Sequence, residues 1–120
     1  MKITIIGAGI GGLTTAIALK QNGFEVEIFE AAAEFKKAGS GINLALNAMQ
    51  VYKRLGMYDI IFEAGSHSST MSITDGKLNP LSIVDLKQFE DKYNAKSVAI
   101  HRATLHQILL DQLSDVQVHL

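Results

Sequence analysis

Cysteine and tryptophan are absent from the 120 residues, and proline occurs once. Without cysteine, structural disulfides, thiolate zinc sites and Cys-x-x-Cys redox chemistry are excluded from this stretch. A surplus of one charge sign is missing too, since 11 basic and 12 acidic residues leave a formal net charge of -1. That balance sets up no long-range field to draw nucleic acid or an anionic membrane, so an acidic ligand has to be held by local groups. The histidines, His67, His101, His106 and His119, lack metal-ligand spacing such as two His four apart on a helix with a third ligand, and no metal is expected.

A long unbroken apolar run is lacking as well. Lys2 is followed by seventeen uncharged residues, Ile3 to Leu19, which superficially resemble a signal peptide or a short membrane span. Four glycines interrupt the run, no small-residue cleavage site follows a defined apolar core, and the periodicity changes midway. The targeting reading is therefore set aside, and the cytoplasm is the expected compartment. A hydrophobic fraction of 48% with 19% charged residues is the composition of an ordinary globular domain, or part of one.

What is present is glycine concentrated in one place, GAGIGG, with Gly7, Gly9, Gly11 and Gly12. Ile3 to Ile6 is a short β-branched run suited to a strand buried on both faces of a parallel sheet. After the glycines, Leu13, Ala16, Ile17 and Leu19 share one helical stripe, and Gly23 sits where a left-handed cap is wanted. Phe24 to Glu30 alternates as a second strand, after a connection suited to a parallel return. The first thirty residues thus read as a βαβ unit.

Within it, Gly7, Gly9 and Gly12 fit G-x-G-x-x-G at the mouth of a helix. The first glycine permits the tight turn, the second lets backbone approach a pyrophosphate, and the third lets helix and strand pack closely. Free amides and the positive end of the helix dipole then face the phosphates. Gly11, outside that spacing, is expected only to ease packing of the first turn. Glu30, at the tip of the second strand, is placed to accept hydrogen bonds from an adenosine ribose and to repel a 2'-phosphate. The pattern selects FAD or NAD over NADP.

Further along, Gly39, Ser40 and Gly41 mark a loop, and Asn47 with Gln50 three residues later predicts a capping box opening a helix that Gly56 stops. Residues 60–63 are expected to continue helically. From His67 to Leu86 the texture predicts two strands joined at Asp75-Gly76, with Pro80 confining the second to an edge or a bulge. Lys87 to Lys96 reads as a solvated loop or short helix, Ser97 to Ile100 as a strand, Arg102 to Leu113 as an amphipathic helix, and Val116 to Leu120 as a final strand.

Taken together, these segments resemble the flavoprotein aromatic-hydroxylase family, the relatives of para-hydroxybenzoate, salicylate and urate hydroxylases. The likeness is carried by Gly7 to Glu30, by EFKKAGSGINLALNAMQVYKRLGM, and by IHRATLHQILLDQL, in the family's order. It implies an α/β fold: a Rossmann-like FAD-binding βαβ with parallel strands and an antiparallel β-hairpin inserted from the substrate domain. The implied division is residues 1–66 and 87–120 for the FAD-binding domain and 67–86 for the hairpin. The resemblance further implies that the loop through Gly41 passes the flavin, with Lys36, or alternatively Lys37, near the cofactor. Arginine is common there, and lysine gives up the bidentate contact. It also implies that Arg102 binds FAD. Independently, a cation at a helix N-terminus opposes the dipole, a penalty that an anionic partner relieves. His106, one turn further on, is open between lining the flavin site and standing at the surface.

The implied activity is hydroxylation of an aromatic or similar planar small molecule with bound FAD, NAD(P)H as reductant and O2. Members of the family are several times longer. Two of their FAD-site segments, an Asp-Gly and a Gly-Asp motif, come later than the stretch resembled here, and no catalytic residue is identified. The expectation is the N-terminal portion of a larger monooxygenase, an incomplete fold that the rest of the polypeptide completes. Two other readings stay open: an NAD-dependent Rossmann dehydrogenase, and a non-catalytic, truncated dinucleotide-binding module.

Overall fold

A computed structural model describes residues 1–35 and 39–120. In chain order the elements are β1 (Lys2–Ile6), α1 (Ile10–Gln21), β2 (Glu25–Phe29), β3 (Gly41–Leu44), α2 (Leu46–Arg54), α3 (Tyr58–Glu63), β4 (Thr70–Thr74), β5 (Pro80–Asp85), α4 (Lys87–Tyr93), β6 (Val98–His101), α5 (Arg102–Asp111) and β7 (Gln117–His119). They form two compact units, Met1–Gly41 with His101–Leu120, and Ile42–Ile100. No helix among the described residues is long and apolar enough to cross a membrane.

The first unit is a three-stranded parallel sheet in the order β1-β2-β7. Ile3 pairs with Val26 and Ile5 with Ile28, so these four β-branched residues point to one face. There α1 packs on the sheet and on α5, burying Leu13, Ala16, Ile17, Val26, Ile28, Leu105, Ile108, Leu109 and Leu113. The cost of turning the chain at each end of α1 is met by glycine: Gly7 at φ 98° and Gly23 at φ 80° lie in the left-handed region. Gly12 has a different reason. A Cβ on it would stand 1.9 Å from the Gly7 carbonyl oxygen, so helix and turn can meet only if residue 12 has no side chain.

Two expectations are corrected in this unit. The first strand is not buried on both faces: Thr4 is exposed and Ile6 is 81% exposed. The open face carries polar groups instead, with Lys2 paired to Glu27 at 2.7 Å and the Thr4 hydroxyl donating to Glu27 at 2.7 Å. Nor does Gly11 relieve packing against another element, since outside its own helix backbone no atom among the described residues lies within 4 Å of where its Cβ would be.

The second unit pairs β3 with β6 and, separately, β4 with β5. Its core comprises Leu44, Met49, Tyr52, Met57, Ile61, Val98 and Ile100. Here the expected capping box is absent: α2 starts at Leu46 with Ala45 as N-cap, and Asn47 is already inside the helix, accepting from the Ala48 N–H at 2.9 Å. A cap requires the Asn side chain to reach amides two or three residues ahead, and with the N-cap two residues earlier, at Ala45, Asn47 no longer has that place. Gly56, at φ 72°, does end the helix as expected.

The antiparallel hairpin forms, but its turn is longer than an Asp-Gly dipeptide. Asp75 Oδ1 accepts from the N–H groups of Lys77 and Asn79, and the left-handed residue is Leu78, at φ 65°. An aspartate that organises backbone two and four residues ahead competes successfully with a two-residue turn. Pro80 sits where the register shifts opposite Ile73 and Thr74, the irregularity expected of it. Every residue of β4 and β5 is exposed, including Met71, Ile73, Leu81 and Ile83. A lone hairpin with apolar side chains open to water is marginal by itself.

The glycines make contrasting predictions. Gly12→Ala is expected to cost about 3 kcal/mol or more by forcing backbone apart, whereas Gly11→Ala, in open space on a helix, is expected to be neutral or to stabilise by about 0.5–1 kcal/mol. Urea denaturation of the two variants checks both.

Candidate functional site

The carboxyl ends of β1 and β2, the turn between β1 and α1, and the start of α5 surround a cleft of about 460 Å³. Ligands of open parallel sheets bind at this edge, outside the strand ends. The cleft is lined by Ala8, Gly9, Glu30, Ala32, Glu34, Phe35, Arg102, Ala103, His106 and Gln107. Its volume suits a small-molecule site.

Each sequence-derived candidate has a defined place around it. Gly7 N–H donates to the Phe29 carbonyl at 2.7 Å, which ties the turn to the end of β2. Gly9 is the N-cap of α1, with no side-chain cap and no atom within 4 Å of its virtual Cβ. The protein itself therefore imposes no steric need for glycine at position 9, while the space in front of it is open to a ligand. Gly12 supplies the close approach already described. The first turn of α1 contains no acidic residue, so its amides and the positive dipole end are left to an external anion.

Glu30 is held in place by backbone. Its Oε2 accepts from the Ala8 N–H at 2.7 Å and its Oε1 from the Ala32 N–H at 2.8 Å. The N–H groups of Ala32 and then Ala8 lower its pKa from the ordinary 4.5, with desolvation working against them and His106 adding a small favourable field. Glu30 is therefore an anionic acceptor at neutral pH, and the remaining lone pairs of its two oxygens are available to ribose hydroxyls.

Arg102 is the first residue of α5 and is exposed on the cleft wall. Its N–H donates to the Ser40 carbonyl at 3.2 Å, and among the described residues its guanidinium takes part in no ion pair. A Cβ on Gly39 would meet the Arg102 Cβ at 3.3 Å, so glycine there lets the loop lie against the arginine stem. Gly41 opens β3, is exposed, and does not line the cleft. Lys36, and with it Lys37, lies outside the described residues.

The sequence reading left His106 undecided; in the structure its Nε2 lies 2.7 Å from the Ala8 carbonyl oxygen and its ring 4.9 Å from that of Phe35. The four-residue spacing from Arg102 placed both on one helical face, but nothing in the sequence signalled the partner 98 positions away. No group of three or more His, Cys, Asp or Glu able to hold a metal occurs among the described residues.

The donor set of the cleft fits an ADP moiety: an anionic acceptor for ribose, helix-mouth amides and an exposed guanidinium for phosphates, and an open glycine between them. A family model for NAD(P)-binding Rossmann-like domains matches residues 5–35. The chain is 33% identical over 116 residues to 6-hydroxynicotinate 3-monooxygenase of Pseudomonas fluorescens, covering 95% of this chain and 30% of that protein. It is 33% identical over 112 residues to the FAD-dependent urate hydroxylase of Klebsiella pneumoniae, covering 92% of this chain and 29% of the relative. The chain is a relative of the FAD-dependent monooxygenases. The crystal structure of Klebsiella pneumoniae HpxO complexed with FAD and uric acid superposes with a TM-score of 0.84 at 32% identity, over 98% of this chain and 30% of that one. The chain thus spans about 30% of the length of the monooxygenases it matches.

Glu30 also predicts a pH dependence. Because its pKa is depressed in the folded chain, the stability it contributes is fully present above about pH 4.5 and is lost as pH falls through the lowered folded value. Melting temperatures of the native protein and Glu30→Gln are expected to differ above pH 4.5 and to converge in more acid solution.

Proposed function

We propose that this chain is the FAD-binding portion of a flavoprotein monooxygenase that hydroxylates an aromatic or similar planar small molecule with NAD(P)H and O2. The observation that carries the proposal is the backbone-held Glu30 carboxylate facing the same cleft as Gly9 and Arg102. Its likeness to an FAD-dependent urate hydroxylase and to HpxO complexed with FAD and uric acid supports it. In this reading Gly7, Gly9 and Gly12 shape the pyrophosphate seat, Glu30 orients the ribose, and Arg102 neutralises phosphate charge. Lys36 and Gly41 serve the loop that passes the flavin. Bound FAD would supply the redox chemistry, accepting a hydride from NAD(P)H and activating O2; the protein would supply position and electrostatics.

Residues 1–66 and 87–120 are assigned to the FAD-binding domain and 67–86 to the substrate domain. The exposed apolar hairpin and the open sheet face support a larger assembly in which the remainder of the polypeptide covers them. The protein is placed in the cytoplasm, with a small aromatic molecule as its partner and neither nucleic acid nor membrane, consistent with a net charge of -1.

Two measurements test the reading. Native protein purified from its source is expected to show flavin absorption bands; a colourless protein that binds NAD instead would favour a dehydrogenase, and one that binds neither a non-catalytic module. In calorimetric titration ADP is expected to bind at least about tenfold more tightly than 2',5'-ADP, and Glu30→Gln to narrow that gap by removing a charge repulsion.

A further inference from the structure

The Ala8 residue is gripped from two sides. Its N–H donates to Glu30 Oε2 at 2.7 Å, and its carbonyl oxygen lies 2.7 Å from His106 Nε2. A carbonyl oxygen only accepts, so the short contact requires that Nε2 carry the proton. Ala8 itself is 1% exposed, between Gly7 at φ 98° and Gly9, whose carbonyl accepts from the Leu13 N–H at 2.9 Å and which has open space where a Cβ would stand.

These facts matter because the flanking glycines give this turn many alternatives. The peptide joining Ala8 to Gly9 can rotate as a plane at little steric cost where glycine bounds it. In a planar trans peptide the Ala8 C=O and the Gly9 N–H point in opposite directions. Holding the carbonyl toward His106 therefore fixes the direction of the Gly9 N–H. A flipped peptide would turn the carbonyl dipole around and withdraw that donor from its place at the helix mouth. The neighbouring peptide, Gly7 to Ala8, is fixed by Glu30 through the Ala8 N–H.

We propose that His106 is a positioning residue for dinucleotide binding: its Nε2–H, from the second turn of α5, holds the Ala8–Gly9 peptide in the orientation that receives the pyrophosphate. The role rests on the dinucleotide reading of the cleft. His106 acts through the turn, and its ring packs against that of Phe35, 4.9 Å away and tilted by 55°. The energetic effect is preorganisation: a turn already in its binding conformation loses less freedom when phosphate arrives.

The experiment is calorimetric titration of the native protein, His106→Leu, His106→Gln and His106→Asn with ADP and with adenosine. Leucine keeps the bulk without a donor, glutamine places an amide nitrogen near the Nε2 position, and asparagine stops short of it. The expected result is about a tenfold loss of ADP affinity for His106→Leu and His106→Asn, the size of one hydrogen bond, with glutamine within about threefold of native. Adenosine affinity is expected to be unchanged, since it carries no phosphate; a general loss of structure would weaken both ligands. If His106→Leu fails to fold, the glutamine and asparagine pair decides alone. Equal ADP affinity for all four proteins, or glutamine as weak as asparagine, overturns the positioning role while leaving the cleft a nucleotide site. Failure of the native protein to bind ADP overturns the dinucleotide reading itself.

Discussion

The contact on which the first unit depends is the one between the backbone of Gly12 and the carbonyl of Gly7. A methyl group at residue 12 would fall 1.9 Å from that oxygen, so α1 can lie against the end of β1 only where the side chain is missing. Once the helix is seated there, Leu13, Ala16 and Ile17 reach the inner face of the sheet, and α5 closes over them. The same seating aims the helix mouth at the edge of the sheet where Glu30 follows β2. Packing and ligand chemistry are thus set by one close approach, and the positive-φ turn at Gly7 makes it geometrically possible.

Around that contact the site is built from backbone held by side chains. Glu30 accepts two amides, His106 faces one carbonyl, and the loop at Gly39 rests on the stem of Arg102. This arrangement keeps a glycine-rich turn in one conformation without filling the space in front of it. The cleft remains open where phosphate and ribose would lie, and its charges are of the two signs that an ADP moiety needs. The likeness to monooxygenases therefore has a physical counterpart in this chain's own geometry, over about 30% of their length.

Much of this was legible in the sequence because it is local. Gly7, Gly9, Gly12 and Glu30 lie within one βαβ stretch, where strand, turn and helix periods are unambiguous and their spacing has a steric cause. The alternation of the second strand put Val26 and Ile28 on one face, and the short connection gave its parallel return beside β1. What escaped was either phase or distance. Asn47 missed the cap because α2 begins one residue before it, a difference that composition does not encode. Asp75 organised a longer turn through its own carboxylate, which outweighed the Asp-Gly preference. The open face of β1 was misread because an apolar run reports that strands are buried somewhere without saying which elements cover them. His106 and Ala8 meet across 98 positions, beyond any local pattern.

The central proposal is that the edge of the parallel sheet receives an ADP group. Titrating ADP into isotopically labelled protein and following backbone amide resonances tests it directly. The account predicts that the shifted amides are those of residues 7–12, 30–35 and 102–107, the turn, the end of β2 with the segment beyond it, and the start of α5. Perturbations centred instead within residues 42–100, with Gly9, Gly12 and Glu30 unmoved, would contradict it.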